Sequence, residues 1–320
     1  MTPTSLVLIP PVPGWSPTRG TLSTPVSVSG RGLHTGRRSR VTLRPAEPGA
    51  GIRFQRLRRG RSLAEVTADV AHRYGQPMCT ALRAEDGTVV RTVEHLLAAC
   101  LTCGIDDAEV EIEGEELPIF DGSASPWTEA IIHAGVRDQG VRQRFLQILA
   151  PLEWSQGARC LRLEPRSVPG YGLSITMSLK NIGQWTWSGE LTPEVFRSEL
   201  AAARSFGRVK LAIPALLYGL IRGIPILRGA GPWCTAAIWG DRVIGGTRMP
   251  DEFVRHRAID VIGDLALLGA PILGQATLLR PSHEANFGLL NLMRRSPEAW
   301  RWVEVDAGLA ATRQERQADV

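Results

Sequence analysis

The feature that most constrains the fold is an apolar helical segment with a polar line along it, PDEFVRHRAIDVIGDLALLG at residues 250–269. Its Val, Ile, Leu and Ala residues recur with a helical period, which predicts a buried helix. The segment also carries His256 and Asp260 four positions apart, and Asp264 one turn further along. Residues i and i+4 share one helix face, about 5–6 Å apart at Cβ. The pattern therefore predicts polar side chains inside the protein.

A similar unit occurs in the first half of the chain. RTVEHLLAACLTCG, residues 91–104, predicts a helix with Thr92 as N-cap and Gly104 as the C-terminal stop. In both halves several strands precede a helix that carries one histidine, ends at a glycine and leads directly into a strand. This repetition predicts an α+β protein made of two similar α+β units packed together. The predicted divisions are a disordered leader at 1–20, a first domain at 21–138, a second domain at 139–308 and a mobile tail at 309–320.

Composition narrows the class of protein. The 320 residues are 43% hydrophobic and 22% charged, which is typical of a globular protein. No run approaches the roughly 18 apolar residues of a membrane span, so the chain is not expected to span a membrane. The first 20 residues lack a basic n-region, and prolines interrupt their apolar stretch. Five cysteines, an odd number, favour reduced thiols and a cytoplasmic location.

The charge balance leaves several partners open. The net charge is +5 and the isoelectric point about 9.2. This excess of positive charge suits an anionic substrate or a membrane surface, although a genome that favours arginine would produce it equally. The arginines are scattered and are not interleaved with aromatic residues, so no nucleic-acid partner is expected.

Two motifs favour metal chemistry only weakly by themselves. An imidazole and a carboxylate one helical turn apart suit zinc, and a catalytic zinc takes three protein ligands. His95 is a candidate third ligand, and Glu94 beside it suits a general base. A lone His–x3–Asp is nevertheless more often a hydrogen-bonded or surface pair. The C-x-x-C of Cys100 and Cys103 is more typical of core packing, because it lies on an apolar helix with no second pair.

Seven ordered motifs resemble one known family. They are VSVSGRGLHTG, RTVEHLLAA, GIDDAEVEIEG, PIFDGSASPW, ARSFG, DEFVRHRAIDVIGDLALLG and PSHEANFGLL, spread over about residues 20–306. In this order they resemble the UDP-3-O-acyl-N-acetylglucosamine deacetylases, which catalyse the committed step of lipid A biosynthesis. The resemblance implies two similar α+β domains, each a sheet with packed helices, sandwiched with the active site at their interface. It also implies an insert at about 207–233 that forms a passage for an acyl chain.

The resemblance implies a set of site residues. The metal would be Zn²⁺, with Fe²⁺ as a substitute. The implied metal ligands are His95, His256 and Asp260. The implied catalytic residues are Glu94 as the base, Ser205 as the group that stabilises the oxyanion, His283 as the acid and Asp264 as the residue that holds His283. The implied substrate contacts are Arg257, Phe206, Gly207, Met78 and Cys79.

The implied activity is zinc-dependent hydrolysis of the acetamide of UDP-3-O-(3-hydroxyacyl)-N-acetylglucosamine by a monomer. Arg257 replaces the usual lysine and Ser205 the usual threonine, while the insert departs further from the family pattern. The alternative is a paralogous zinc deacetylase acting on another N-acetylated sugar or nucleotide sugar. A catalytically dead binding protein and a structural protein are disfavoured, since Glu94 and all three ligands are present. The GRGLHTG segment around His34 is either a glycine-flanked turn or a supporting wall of the site.

Overall fold

The structure is a computed structural model that describes residues 7–309. The remaining residues, 1–6 of the predicted leader and 310–320 of the predicted tail, lie outside the described part. Six helices are numbered in chain order, and α3 continues into a π-helical turn at Phe196–Leu200. The helices are α1 (Glu94–Cys103), α2 (Ser125–Ala134), α3 (Pro193–Val195), α4 (Val209–Arg222), α5 (Glu252–Leu265) and α6 (His283–Arg295).

Twenty-one strands accompany them in the described residues. They are β1 (Val7–Ile9), β2 (Thr18–Leu22), β3 (Val26–Arg31), β4 (Arg38–Pro45), β5 (Ile52–Arg58), β6 (Arg61–Thr67), β7 (Arg73–Tyr74), β8 (Ala81–Arg83), β9 (Val89–Arg91), β10 (Ala108–Glu113), β11 (Val136–Arg142), β12 (Arg144–Ile148), β13 (Leu152–Gln156), β14 (Arg159–Glu164), β15 (Tyr171–Leu179), β16 (Gly183–Glu190), β17 (Phe206–Arg208), β18 (Ala236–Trp239), β19 (Arg242–Val243), β20 (Ile272–Leu279) and β21 (Trp300–Val305).

Two sheets carry most of the strands. The first has the order β3-β4-β10-β5-β6, with β10 antiparallel to β4 and parallel to β5. The second has eight strands, in which β20 pairs with β12 and β15 in parallel and with β14 antiparallel. In β10 the side chains of Ala108, Val110 and Ile112 are buried, whereas the intervening glutamates are not. This alternation is what the period of two in the sequence predicts.

Helices α1 and α5 pack against each other, and their closest approach depends on Gly263. A Cβ atom at this position would lie 2.0 Å from the carbonyl oxygen of Glu94, closer than any two such atoms approach. The missing side chain therefore lets the backbones meet beside Glu94 and His95. This contact brings the first turn of α1 next to the polar face of α5.

The α+β class predicted from the sequence is confirmed. One continuous apolar cluster contains residues from both sheets and both central helices, including Val110, Leu96, Ile262 and Leu278. The division of the chain into two domains remains a prediction. Residues 209–243, which include most of the implied insert, form a helix followed by a short strand pair.

The predicted disordered leader is wrong for residues 7–20. Val7–Ile9 pairs in parallel with Val303–Val305, and β2 pairs with β11, the segment that the sequence placed at a domain boundary. Val12 is buried, and the ring of Trp15 packs edge-on against Phe145 with centroids 6.0 Å apart. These apolar side chains belong to the main apolar cluster, so the segment is held in place although prolines interrupt its apolar stretch.

The helix ends follow the sequence except at the N-terminus of α1. Gly104 and Gly269 both adopt left-handed φ values, 75° and 82°, after their helices, and the Ser282 hydroxyl accepts a hydrogen bond from Ala285 N–H as the α6 cap. Thr92 is not the cap of α1. It has φ of 61°, and its hydroxyl donates to Glu116 Oε1 at 3.0 Å instead.

Candidate active site

Three buried side chains from α1 and α5 form a candidate metal group. One ligand atom each of His95, His256 and Asp260 lies within 4.8 Å of the other two. Asp260 Oδ1 is 3.8 Å from His95 Nε2 and 3.4 Å from His256 Nε2. Two imidazole nitrogens and one carboxylate oxygen are a donor set that zinc accepts, with a fourth position left for water or substrate.

Neighbouring groups fix the orientation of these ligands. The Nδ1–H of His256 donates to the carbonyl oxygen of Ala203 at 3.1 Å, which leaves Nε2 facing the group. Arg257 donates to the second oxygen of Asp260 at 2.8 Å. Metal ligands commonly have such second hydrogen bonds, because these fix the tautomer and the ring orientation.

The protonation of the group also suits metal binding. Burial lowers the pKa of His256 to about 4, although the charge of Asp260 opposes this shift. Burial alone would raise the pKa of Asp260, but the charge of Arg257 and that of His256 in its protonated form outweigh burial, so the pKa falls below the ordinary aspartate value. A neutral imidazole and an ionised carboxylate are the forms that bind metal ions.

Glu94 lies beside this group at the start of α1. Its Oε2 accepts a hydrogen bond from the backbone N–H of Thr80 at 3.0 Å, and its Oε1 lies 4.0 Å from His283 Nε2. Burial raises the pKa of Glu94 to about 7, although the charges of His283 and His95 oppose the shift. A carboxylate with a pKa near neutrality can accept a proton and release it again at working pH.

His283 and Asp264 form a pair opposite Glu94. The Nδ1–H of His283 donates to Asp264 Oδ2 at 2.9 Å. Burial alone would lower the pKa of His283, but the negative charge of Asp264 outweighs it and raises the pKa to about 9. His283 is therefore an imidazolium near neutral pH and can donate a proton from Nε2, the nitrogen that faces Glu94.

A cavity of about 730 Å³ connects this chemistry to the segment 207–233. Its wall is polar where it meets the metal group and apolar along the insert. The polar wall includes Glu94, His95, Ser205, His256, Arg257, Asp260 and His283, and the apolar wall includes Met78, Phe206, Val209, Leu211, Ala212, Leu227 and Ile238.

A second cavity, of about 690 Å³, adjoins the first and is rich in positive charge. Phe206 and Arg257 contribute to both cavities. The guanidinium carbon of Arg257 lies 5.3 Å from the centroid of the Phe206 ring, within the range of a cation–π contact. The basic residues of the second cavity are Arg159, Lys180, Arg257 and Arg280.

Comparison with known proteins identifies the family of this chain. The family model described as "LpxC: UDP-3-O-acyl N-acetylglycosamine deacetylase" matches residues 19–294. The chain belongs to this LpxC family. The matched span contains every residue of the metal group and both members of the His283–Asp264 pair, and the resemblance predicted from the seven motifs is confirmed.

Several relatives are named UDP-3-O-acyl-N-acetylglucosamine deacetylase. The protein of Phenylobacterium zucineum (strain HLK1) is 35% identical over 283 residues, which is 88% of this chain and 94% of that protein. That of Syntrophotalea carbinolica (strain DSM 2380 / NBRC 103641 / GraBd1) is 32% identical over 289 residues, 89% of this chain and 91% of its own length. That of Anaeromyxobacter dehalogenans (strain 2CP-C) is 35% identical over 290 residues, 89% and 90% respectively.

The structure separates the two substrate contacts predicted in the QPMCTAL segment of this LpxC-family chain. Met78 is 49% exposed and lines the larger cavity, whereas Cys79 is completely buried and lies outside the described lining. The left-handed backbone of Met78, with φ of 67°, turns these neighbours in different directions. Only Met78 is within reach of a molecule in the cavity.

Ser205 reaches the cavity because α5 anchors the residue before it. Glu252, at the start of α5, accepts hydrogen bonds from the backbone N–H and the guanidinium of Arg204, at 3.0 and 2.8 Å. Ser205 N–H donates to the carbonyl of Gly122, and its own carbonyl accepts from Ala236 N–H. Both ends of this peptide are therefore fixed while the hydroxyl side lines the cavity together with Phe206 and Gly207.

Two residues in contact with the His283–Asp264 pair were missed by sequence reasoning. The Thr80 hydroxyl donates to Asp264 Oδ1, and the Asn286 amide donates to Asp264 Oδ2 at 2.7 Å. Asn286 lies three residues after His283 on α6, a spacing that places both on one helix face. That spacing is a signal the sequence contains. Thr80 has no such signal, because it comes from a distant turn.

The GRGLHTG segment is organised around a buried carboxylate. Glu116 accepts hydrogen bonds from the backbone N–H groups of His34 and Thr35 at 2.7 and 2.6 Å. A Cβ at Gly32 would lie 2.2 Å from the same carboxylate. The carbonyl of His34 in turn accepts from Arg228 N–H of the insert at 3.1 Å. These contacts favour the supporting-wall interpretation, which remains a prediction.

The cysteine pair has the environment of core residues. Cys100 belongs to the main apolar cluster, and Cys103 packs against it. Burial raises the pKa of the Cys103 thiol to about 11 and that of Cys100 further. Neutral thiols are poor metal ligands and nucleophiles, so core packing accounts for this C-x-x-C.

Proposed function

We propose that this chain hydrolyses the acetamide of UDP-3-O-(3-hydroxyacyl)-N-acetylglucosamine in a zinc-dependent reaction that releases acetate and the free 2-amino sugar. This reaction is the committed step of lipid A biosynthesis. The observation that carries the proposal is the grouping of three buried metal-binding side chains, a carboxylate and a cationic histidine on one cavity wall. Membership of the LpxC family supplies the substrate class.

The residues that would hold zinc are His95, His256 and Asp260, and Fe²⁺ would occupy the same donor set. When bound, zinc supplies a Lewis acid that polarises a carbonyl and lowers the pKa of water. The protein's contribution is to present these donors deprotonated and buried, with His256 and Asp260 each held by a further hydrogen bond.

Glu94 and His283 divide the proton transfers between them. Glu94 takes a proton from the attacking water, whose oxygen forms the new bond to the acetamide carbon. The Ser205 hydroxyl donates a hydrogen bond to the carbonyl oxygen as negative charge develops there. His283 donates a proton to the sugar nitrogen as the C–N bond breaks, so acetate and the amine leave. Asp264 keeps His283 protonated for this step.

The two adjoining cavities fit the two ends of the proposed substrate. The larger one has the apolar wall of the insert, which suits an acyl chain. The smaller one presents four basic side chains, which suit a diphosphate. Arg257 and Phe206 lie at their junction, where the sugar joins both ends, and Gly207 and Met78 line the acyl side.

The test is acetate release by zinc-loaded protein from the acylated nucleotide sugar, with Glu94→Ala as the matched variant. Loss of a general base is expected to slow release by about 10²–10⁴-fold. The zinc content of the variant, measured by atomic absorption, should stay at the wild-type level because Glu94 is not among the ligands. Equal rates in the two proteins would refute the assigned base.

The same assay separates the proposal from its alternative. UDP-N-acetylglucosamine without an acyl chain is expected to be a much poorer substrate, because the apolar cavity would remain unfilled. Efficient release from this compound, with none from the acylated one, would favour a paralogous deacetylase acting on another nucleotide sugar.

A further inference from the structure

Helix α4 exposes a continuous apolar face. Ile213, Leu217, Leu220 and Ile221 recur at i, i+4, i+7 and i+8, so they share one side of the helix. Their exposed fractions are 66%, 55%, 64% and 83%. Single exposed apolar residues are ordinary on protein surfaces, but a contiguous stripe of four large ones marks an interaction site.

The opposite face of α4 belongs to the larger cavity. Val209 and Ala212 line it, and Gly219 packs inward, where a Cβ would lie 2.6 Å from the carbonyl of Ile224. Leu211 lines the cavity and is also 51% exposed. The helix is therefore a thin wall between the cavity and the outer surface, with apolar side chains on both sides.

Two tryptophans in the same region are equally exposed. Trp233 lies between α4 and β18, and Trp239 ends β18, the strand against which α4 packs. Each is 67% exposed. Tryptophan is enriched where protein meets the boundary between lipid headgroups and acyl chains, because its ring is apolar and its N–H is polar.

The charged residues of the segment that contains α4 are all basic. Residues 200–240 contain no Asp or Glu, and the next acid along the chain, Asp241, lines a small cavity together with two of the cations. Basic residues beside an apolar helix face are attracted to anionic lipid headgroups. The basic residues of this segment are Arg208, Lys210, Arg222 and Arg228, together with Arg204, whose guanidinium is already paired with Glu252.

We propose that the outer face of α4, with Trp233, Trp239 and the flanking cations, docks on the surface of a bilayer that contains anionic lipids. The helix lies in the plane of the headgroups and does not cross the membrane; no helix within residues 7–309 is long and apolar enough to do so. Its relevance to an acyl-chain substrate rests on the function proposed above. Docking would place the thin wall of the cavity against the apolar layer of the bilayer.

A second copy of the chain fits this surface less well than a bilayer. A two-fold dimer places the same patch of both subunits face to face. The cations of one copy would then meet those of the other without any acid from residues 200–240 to pair with them. An anionic bilayer can bury the apolar stripe among its acyl chains while its headgroups neutralise the flanking cations.

The test is co-sedimentation of the full chain with vesicles, without substrate. Binding to vesicles of phosphatidylethanolamine and phosphatidylglycerol should exceed binding to phosphatidylcholine by at least about tenfold at low salt and fall as salt is added. The double variant Leu217→Glu/Ile221→Glu should bind about tenfold more weakly or less. The variant Lys210→Gln/Arg222→Gln should lose most of the preference for anionic vesicles.

A control is Ile132→Glu, which introduces a glutamate at a 54% exposed isoleucine on α2, away from α4, and should bind like the wild type. Absence of binding to anionic vesicles, or equal binding by the control and the double variant, would overturn the proposal. A dimer that the double variant abolishes, detected by light scattering, would assign the surface to a second copy instead. Vesicle binding without acetate release would refute only the proposed function, and acetate release without vesicle binding only the docking surface.

Discussion

Helices α4 and α5 are both fourteen residues long, but the more apolar of the two, α4, is the more exposed. Helix α4 has only two charged residues, and Gly219 is its one buried residue. Helix α5 has five charged residues and a histidine, and twelve of its residues are buried. Burial of a helix therefore depends on whether its polar groups find partners. Exposure of an apolar helix indicates a surface that can bind another molecule.

The partners of α5 explain how its polar line is tolerated inside the protein. Arg257 pairs with Asp260, Thr80 and Asn286 donate to Asp264, and the Ala203 carbonyl accepts from His256. A buried polar group without such partners would cost roughly 1–3 kcal/mol. Helix α4 has no comparable set of polar contacts to satisfy, since its outer side chains are apolar.

The largest expected effect compares one isoleucine from each helix. Ile262→Ala on α5 removes a fully buried side chain and should lower the free energy of unfolding by about 2–5 kcal/mol. Ile221→Ala on α4 removes a side chain that is 83% exposed and should change it by less than about 0.5 kcal/mol. Urea unfolding of the metal-free proteins measures both values without a contribution from metal binding. Similar losses in the two variants would show that α4 packs against the protein as tightly as α5.

The next effect tests the pairing at the end of the polar line. Asp264→Asn removes the negative charge that raises the pKa of His283 to about 9. The proposed acid must be protonated, so activity should fall as pH rises through that value. In the variant the fall should begin at least about one pH unit lower. The pH dependence of kcat/KM for acetate release shows the shift.

If the fall of kcat/KM at alkaline pH were unchanged in Asp264→Asn, another group would be the acid. The matching control is Asp121→Asn, which removes a carboxylate bound to Arg248 and Ser123 and should leave this fall where it is.

The smallest expected effect concerns Thr80, which acts through its neighbours. Thr80→Val removes the hydroxyl that donates to Asp264 and keeps the backbone N–H that donates to Glu94. Loss of one such hydrogen bond, worth about 1 kcal/mol, should reduce kcat about three- to tenfold with little change in KM. Thr80→Ser should restore most of the rate. A merely structural role would instead lower thermal stability in both variants without the difference in kcat.

Sequence reasoning anticipated those parts of the site that depend on local spacing. The positions of His256, Asp260 and Asp264 on one face of α5 follow from the helical period, and the glycine stops of α1 and the α5 region follow from left-handed φ values that glycine adopts freely. The cap of α6 at Ser282 is also a local feature. The ordered motifs indicated the LpxC family, and comparison confirmed it.

Contacts between distant segments could not be predicted in this way. Thr80 approaches Asp264 across 184 positions, and the leader strand pairs with residues near the other end of the described chain. No hydrophobic period or turn motif in the sequence indicates such contacts, because they depend on how the helices and strands pack after they have formed. The exposure of α4 is of the same kind, since its composition alone predicts burial.

The amino-acid sequence by itself determined which side chains share a helix face, where the helices stop and which family the chain belongs to. Only the tertiary structure decided that His95 meets His256 and Asp260, because their approach requires α1 and α5 to touch at Gly263, where no Cβ intervenes. It also decided that the apolar helix α4 lies outside, whereas the sequence already predicted the burial of α5. The physical reason is that a helix is buried only where neighbouring segments can both fill its apolar surface and pair its polar groups.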